Sequence, residues 1–167
     1  MRAPDPPRSR SVQALVLASC LLLAGCGFHL QGRIVLPRSL TNARIEATDQ
    51  QSDFYSSLRT ALYAAGARLD GPVEEAATIH ILTDSSSERV ITVSARNTPT
   101  AYVLDYRVKI AVNYQGRELL PAEEHTLTRE YSFDETELLA KQRESEVLRQ
   151  ALADDLVALV MRRLAAL

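Results

Sequence analysis

The stretch YVLDYRVKIAVNY, residues 102–114, decides the fold of this chain. Apolar or aromatic side chains occupy all seven even positions, and charged or polar side chains occupy most of the odd ones. This alternation predicts a long β-strand that buries one of its two faces. The strand therefore needs a layer of other elements on its buried side.

The sequence after this strand predicts a partner that returns beside it. Gly116 marks a turn, and residues 123–134, EEHTLTREYSFD, alternate again, with apolar side chains at Leu127, Tyr131 and Phe133. Arg129 is the exception to this alternation. A turn between two alternating segments favours an antiparallel pair.

The sequence before this strand contains a second extended segment, TIHILTDSSSERVITVSA, residues 78–95. Ile79 and Ile81 alternate with other residues in the first part of this segment. Ile91, Val93 and Ala95 alternate in the same way in its last part. Two structures fit: one long strand with a bulge, or a hairpin that turns at residues 85–87. The absence of glycine from the Ser-rich centre favours the bulged strand.

A shorter strand and a helix precede these segments. Residues 43–48, ARIEAT, alternate and predict a short strand. In residues 52–66, SDFYSSLRTALYAAG, apolar side chains recur at three- and four-residue intervals and predict one apolar helix face. Ser52 or Asp53 can cap this helix, and Gly66 can end it.

A second helix is predicted to continue to the end of the chain. Asp134 and Glu137 form a capping-box-like pair, and an apolar stripe at helical spacing follows them. Residues 140–146, AKQRESE, are polar all round, so we expect this part to project into solvent or onto a partner.

The order of these elements is strand, helix, three long strands, helix. It predicts an α/β two-layer sandwich of about four mostly antiparallel strands, with two helices packed on one face. The other face of the sheet is expected to be polar, and either exposed or used for binding.

The first thirty residues have the pattern of an export signal. Basic residues precede an apolar segment, residues 12–23, that is shorter than the ~20 residues of a spanning helix. The motif Leu-Ala-Gly-Cys, residues 23–26, resembles the bacterial lipobox, which implies cleavage before Cys26 and lipidation of that residue. A plain signal peptide with an incidental cysteine is the alternative.

A lipobox divides the chain into a removed signal, residues 1–25, a lipidated tether, residues 26–42, and one α/β domain, residues 43–167. Cys20 would leave with the signal, so no free thiol or disulfide would remain. The residue after Cys26 is Gly27 and not Asp, which in lipoproteins of this kind favours the outer membrane.

Charge and motifs exclude several classes of function. The 167-residue chain has a formal net charge of −2, and removal of the signal leaves 16 basic and 20 acidic residues, which argues against nucleic-acid binding. His29, His80 and His125 lie without partners at metal-ligand spacing, and no nucleophile or phosphate-loop motif occurs. We therefore expect no enzyme activity, no cofactor and no metal.

The segment CGFHLQG, residues 26–32, resembles the start of the mature LPS-assembly lipoproteins of the LptE family. Further similarities are Leu36-Pro37, the strand LDYRVKIAVNY at 104–114, the helix start LAKQRESEVL at 139–148, and the order of elements. The resemblance implies an outer-membrane lipoprotein, anchored on the periplasmic side, that plugs the LptD β-barrel, binds lipopolysaccharide and aids its assembly at the cell surface.

The resemblance also implies basic lipopolysaccharide-binding residues at Arg96 and Lys141. Arg89, Arg107 and Lys109 lie on or near adjacent predicted strands and are further candidates, because Arg binds phosphate bidentately. Ordinary surface charge paired with Asp105 or Glu144 is the alternative for these residues. The segment RNTPTAYVLDY, residues 96–106, departs from the family pattern, which leaves the counterpart of Arg96 open by a residue or two.

A lipoprotein of another envelope machine, such as barrel assembly or ABC-type lipid transport, is the competing interpretation of the function. It shares the lipobox and a small α/β domain, but not the CGFHL start. A lipid-modified hydrolase would need a catalytic triad or a metal cluster, and the sequence contains no motif for either.

Overall fold

Four β-strands form one sheet with the order β1-β2-β3-β4. A computed structural model describes residues 34–72, 75–132 and 138–167, without the side chains of residues 138–141, and the chain from Ile34 to Leu167 is one compact unit. The elements are β1 (Ala43–Ala47), α1 (Asp53–Ala64), β2 (Ala77–Val93), β3 (Pro99–Tyr114), β4 (Arg117–Ser132) and α2 (Leu138–Ala165).

The connections between the strands set their directions. β1 and β2 are parallel, because α1 lies between them in the chain and returns the backbone to the same end of the sheet. β2 with β3, and β3 with β4, are antiparallel and are joined by short turns. The α/β two-layer fold predicted from the sequence is therefore confirmed.

Both helices cover the same face of the sheet, which we call the closed face. The even positions of β3 point towards it and are buried from Tyr102 to Val112, as their alternation predicts. The helices contribute buried apolar side chains to the same core: Phe54, Leu58 and Leu62 from α1, and Leu152, Leu156 and Val160 from α2. Val103, on the opposite face, is buried as well, with 2% of its surface exposed.

β2 is one strand, so the bulged alternative is right and the hairpin at residues 85–87 is wrong. Residues 85–87 pair in continuous register with residues 107–105 of β3, and the register shifts between Ile81 and Thr83 and again near Thr92. The first shift moves the even positions onto the closed face. Ile91 and Val93, which share a parity in the sequence, are 41% and 52% exposed.

The two hairpin turns use residues with positive φ. Asn97, in the β2–β3 turn, has φ 62°, and the Ser94 amide donates to the Thr98 carbonyl at 2.7 Å. Gln115 and Gly116 form the two-residue β3–β4 turn, with φ values of 50° and 75°. Two consecutive positive φ values match the right-handed twist of the strands that they join.

Two strands begin earlier than the sequence predicts. β3 begins at Pro99 and β4 begins at Arg117, whereas their alternating patterns begin at residues 102 and 123. Residues 133–134, predicted as the end of the returning strand, lie outside the described residues.

α1 begins and ends where the sequence predicts. The Ser52 hydroxyl accepts a hydrogen bond from the Tyr55 amide at 3.1 Å, and Gly66, which follows the helix, has φ 90°. The predicted Asp134–Glu137 cap of α2 lies outside the described residues. No helix in the described part of the chain is both long enough and apolar enough to cross a membrane.

Part of the predicted tether, residues 26–42, is described from Ile34 onward. Leu40 is fully buried in the core, and Ile34 and Leu36 pack against it. Asn42 forms a bridge with Arg68. Packing thus extends upstream of β1, while residues 26–33 lie outside the described residues.

Candidate functional site

The face of the sheet opposite the helices, which we call the open face, carries a chain of polar contacts across the strands. At the end near β1, Glu46 lies 3.2 Å from the His80 ring, and His80 contacts Asn113 at 3.3 Å. Further along, the Thr128 hydroxyl donates to Asp105 at 2.6 Å. This face is therefore polar, as predicted, and its side chains largely bind one another.

Three of the five candidate basic residues lie on the open face. Arg89 contacts Asp105, with Nε 3.5 Å from Oδ2, and Arg107 contacts Glu124, with Nε 3.5 Å from Oε1. The two Arg side chains are 64% and 55% exposed. Exposed ion pairs contribute only about 0–1 kcal/mol, so a phosphate could replace either carboxylate at little cost.

Lys109 lies on the same face, paired in register with Glu124 of β4 and Thr83 of β2. Its half-buried side chain makes no ion pair within the described part of the chain. Lys109 and Arg107 are therefore neighbours on the open face, two residues apart on one strand.

Arg96 lies in the exposed β2–β3 turn, one residue before Asn97. The turn follows Val93 and precedes Pro99, so it forms the tip of the longest hairpin in the sheet. We call this end of the sheet the hairpin end. A long side chain at such a tip can reach a ligand without crossing the surface of the domain.

Lys141 lies in the first turn of α2, and its side chain lies outside the described residues. Ser132, the last residue of β4, pairs with Ala101 near the start of β3, so α2 begins on the same side as the Arg96 turn. The topology therefore places Arg96 and the start of α2 at the hairpin end.

The five basic candidates are spread along the sheet. Arg96 and the start of α2 lie at the hairpin end, whereas Arg89, opposite Val103, lies seven residues before Arg96 in the chain. Arg107 and Lys109 lie four to six residues farther along β3, which corresponds to about 13–20 Å. One phosphate therefore cannot contact all five residues, although one extended amphiphile could.

The sequence interpretation missed a second polar cluster, on the closed face. The Tyr106 hydroxyl donates to Asp84 Oδ1 at 2.9 Å, the Ser52 hydroxyl donates to the other oxygen of Asp84, and the Tyr131 hydroxyl donates to Glu88 Oε2 at 2.5 Å. Burial, and then the neighbouring carboxylate, raises the pKa of Tyr106 and of Tyr131. Both tyrosines therefore act as neutral hydrogen-bond donors.

The sequence indicates that these side chains share a face only once the bulge between Ile81 and Thr83 is known. Asp84 and Glu88 have even numbers, and the shift after Ile81 places these positions on the closed face. An alternation counted from Ile79 assigns them to the open face. Ser52, Asp84 and Tyr106 of this cluster also line a shallow cleft of about 260 Å³, together with Asp49, Asp53, Ser86 and Arg149.

Arg149 connects the two helices beside this cleft. Its Nε donates to Asp53 Oδ2 at 2.7 Å, and its Nη2 donates to Glu146 at 3.2 Å. The hydrogen bond to Asp53 raises the pKa of Arg149. The contact fixes the start of α1 against the middle of α2.

The described histidines do not form a metal site. His80 contacts Glu46 and Asn113, and His125 lies 3.9 Å from Glu123. Within residues 34–72, 75–132 and 138–167, no group of three or more His, Cys, Asp or Glu side chains could hold a metal ion.

The sequence matches one protein family over most of its length. The profile of the family described as LptE, lipopolysaccharide-assembly, matches residues 40–164. A relative from Yersinia enterocolitica, named LPS-assembly lipoprotein LptE, is 25% identical over 159 residues, which cover 94% of this chain and 76% of the relative.

Solved structures share the fold. Uncharacterized lipoprotein B from Nitrosomonas europaea, a solution NMR structure, aligns with a TM-score of 0.68 and 26% identity, over 84% of this chain and 91% of that one. The crystal structure of rare lipoprotein B from Shewanella oneidensis aligns with a TM-score of 0.67 and 20% identity, over 75% and 94% of the two chains.

Proposed function

Because this chain belongs to the LptE lipopolysaccharide-assembly family, we propose that it is an outer-membrane lipoprotein that plugs an LptD-type β-barrel and binds lipopolysaccharide. In this role it makes and breaks no bond. It is anchored on the periplasmic side through lipid on Cys26, and it aids the assembly of lipopolysaccharide at the cell surface.

Basic residues at the hairpin end support lipopolysaccharide binding. Lipopolysaccharide carries phosphates on an acylated sugar, and Arg presents a planar donor pair that matches phosphate oxygens. Arg96 lies at this end, and Lys141 begins the helix beside it, while Arg89 lies farther along β2, opposite Val103. Arg89 can exchange its exposed contact with Asp105 for a phosphate, because such ion pairs are weak in water.

The polar open face supports the proposed place inside a barrel, and it is the observation that carries that part of the proposal. The lumen of a large barrel is polar and filled with water. A plug therefore needs polar side chains where it meets the wall. Arg107 and Glu124 on this face could form ion pairs with charged side chains of the barrel wall instead of with each other. Such pairs would set the position of the plug in the barrel more than the strength of its binding.

The lipid anchor accounts for attachment in the absence of a spanning helix in the described residues. One acyl chain holds a protein only marginally, whereas two or more anchor it stably, at about 0.8 kcal/mol for each buried CH₂ group. The signal pattern before Cys26 is the basis for this part of the proposal.

A charge-reversal experiment tests the binding residues. The variant Arg96→Glu with Lys141→Glu should weaken binding of the full chain to lipopolysaccharide at least about tenfold, because two phosphate contacts are replaced by repulsion. The thermal midpoint of unfolding should stay close to that of the wild type, since Arg96 is exposed in a turn and Lys141 is at a helix start.

The matched control reverses two charges at the other end of the sheet, Arg44→Glu with Arg117→Glu. Arg44 and Arg117 are exposed and lie far from the hairpin end. The control should bind as the wild type does. Equal loss in both double variants would show a general charge effect, and unchanged binding in the first would refute the site.

A further inference from the structure

The outer edge of β2 lacks a neighbouring strand over its second half. β1 ends at Ala47, which pairs with Ile81, and the chain then turns away into α1. Residues 85–90 of β2 pair with β3 on one side, and no strand of the described part of the chain lies on their other side. All six of these residues are exposed. We call this stretch the β2 edge.

The β2 edge is regular and weakly protected, unlike the other outer edge of the sheet. Its pairing with β3 runs without a register shift from Thr83 to Val90, so its backbone groups keep the spacing of an ordinary strand. Three consecutive serines at 85–87 offer little steric or electrostatic obstruction.

β4, in contrast, has the features by which proteins block edge pairing. Pro121 interrupts its donors, and the register shifts beside it. The difference between the two edges indicates that the β2 edge is left open to accept a strand.

The carboxylates in the cleft beside the β2 edge favour a positively charged side chain on the incoming strand. Asp84 accepts hydrogen bonds from Tyr106 and Ser52 but contacts no cation within the described residues. Asp49 also faces this cleft, while Asp53 is already paired with Arg149. Ser86 occupies the rim with a small side chain. A Lys or Arg on an added strand would fill the space above Ser86 and approach the uncompensated carboxylates.

We propose that the β2 edge binds an extended segment of a partner polypeptide by strand addition, with a Lys or Arg of that segment directed into the cleft at Asp84. Backbone hydrogen bonds to residues 85–90 supply the affinity, and the cation sets the register. The edge includes Arg89 but lies apart from Arg96 and Lys141, so the variant Arg96→Glu with Lys141→Glu tests lipopolysaccharide binding without changing the edge.

A capped synthetic peptide tests the proposal on the full chain in detergent. The probe has about nine residues, alternating Thr and Val around one central Lys, which is long enough to cover the edge. Fluorescence anisotropy should show saturable binding, and hydrogen exchange should show slower amide exchange at residues 85–90. A peptide with Glu in place of Lys should bind at least about tenfold more weakly, and a peptide N-methylated at every backbone amide should not bind.

Variants locate the site. Ser86→Lys places a cation of the chain itself in the cleft and should weaken binding of the Lys peptide at least about tenfold, whereas Thr126→Lys on β4 should leave it unchanged. Equal binding of the Lys and Glu peptides, binding of the N-methylated peptide, or protection along β4 would overturn the proposal. A dimer of the full chain that Ser86→Lys converts to a monomer would also overturn it, because a second copy would then occupy the edge.

Discussion

Arg149 is a side chain that joins the two helices directly. It binds Asp53 at the start of α1 and is itself 38% exposed, so water screens part of the interaction. Asp53 also lies in the first turn of its helix, where the helix dipole favours a negative charge. The contact therefore adds modest stability and mainly fixes how the helices meet.

Replacement of this residue tests that role. Arg149→Met should lower the free energy of unfolding by roughly 0.5–1 kcal/mol, as expected for a partly exposed ion pair. The measurement is urea unfolding followed by circular dichroism. Arg143→Met, on the exposed side of the same helix, is the control and should change stability by less than about half that amount. Equal effects of the two variants would contradict the assigned contact.

Glu123 of β4 and Arg163 of α2 form an ion pair between the sheet and a helix. This pair predicts that the stability of the fold depends on pH. Arg163 Nη2 and Nε donate to the carboxylate at 2.7 to 3.2 Å, and this hydrogen bonding lowers the pKa of Glu123. A lowered folded-state pKa stabilises the fold above the unfolded pKa, and that stabilisation is lost as the pH falls through the folded pKa.

Glu123→Gln should therefore destabilise the chain more at pH 7 than at an acidic pH, because falling pH progressively protonates the wild-type carboxyl and removes the charge that Arg163 stabilises. Urea unfolding at both pH values measures the difference. Glu118→Gln, on the same strand, is the control and should show no such pH dependence. If Glu123→Gln destabilised the chain equally at both pH values, the charge of Glu123 would contribute nothing to stability.

At the scale of elements, Tyr106 connects three of them. Its hydroxyl donates to Asp84 of β2 and accepts, at 3.4 Å, from the Phe54 amide at the start of α1. The ring is buried, with 3% of the residue exposed. Loss of the hydroxyl would leave Asp84 with the Ser52 donor alone, and buried polar groups without partners are costly.

Tyr106→Phe should consequently lower the free energy of unfolding by about 1–2 kcal/mol. Tyr63→Phe, which removes an exposed hydroxyl that binds Asp70 at 3.2 Å, should cost less than about 0.5 kcal/mol. Equilibrium unfolding in urea compares the two. A neutral Tyr106→Phe variant would show that the cluster on the closed face contributes nothing to stability.

The β3–β4 turn offers a stabilising change. Gln115 holds φ 50° in a two-residue turn, where Asn is much preferred. Gln115→Asn should raise the free energy of unfolding by a few tenths of a kcal/mol, and Gln115→Val should lower it by about 1–2 kcal/mol, because β-branched residues resist positive φ. The same order in thermal midpoints would confirm the turn type, and the reverse order would contradict it.

The elements also show how far the sequence predicts this structure. The alternation of residues 102–114 and the apolar spacing in α1 predict both elements well, because each buries one regular face. The start of β3 at Pro99 was not predictable, since residues 99–101 are all half-buried and carry no alternating burial pattern. Arg129, the exception in β4, faces α2 and contacts Asp155 at 3.4 Å, a partner that only the fold supplies.

The candidate site was predictable only in part, for a similar reason. Arg residues on the open face follow from strand parity, but their carboxylate partners depend on register, which the bulge near Leu82 shifts. Because of the same shift, the sequence pattern did not show that Asp84 and Glu88 lie on the closed face. The residue types therefore indicated which polar and charged groups the site contains. The packing of the strands determined which of these groups contact one another.

At the scale of the whole molecule, the proposed attachment to the outer membrane depends on Cys26. Cys26→Ser should remove the protein from the outer-membrane fraction, because the lipid can no longer be attached. Cys20→Ser is the matched control, since that residue would be removed with the signal, and it should stay in the outer membrane. Immunoblots of the separated membrane fractions measure both, and a Cys26→Ser protein in the outer membrane would contradict the anchor.

Co-purification from solubilised outer membranes tests the proposed function as a whole most directly. The tagged full chain should elute with one LptD-type β-barrel protein in a one-to-one complex that also contains lipopolysaccharide. The Arg96→Glu, Lys141→Glu variant should retain the barrel and lose most of the lipopolysaccharide. Elution without such a barrel, or with components of a barrel-assembly or ABC-type lipid-transport machine, would contradict the account.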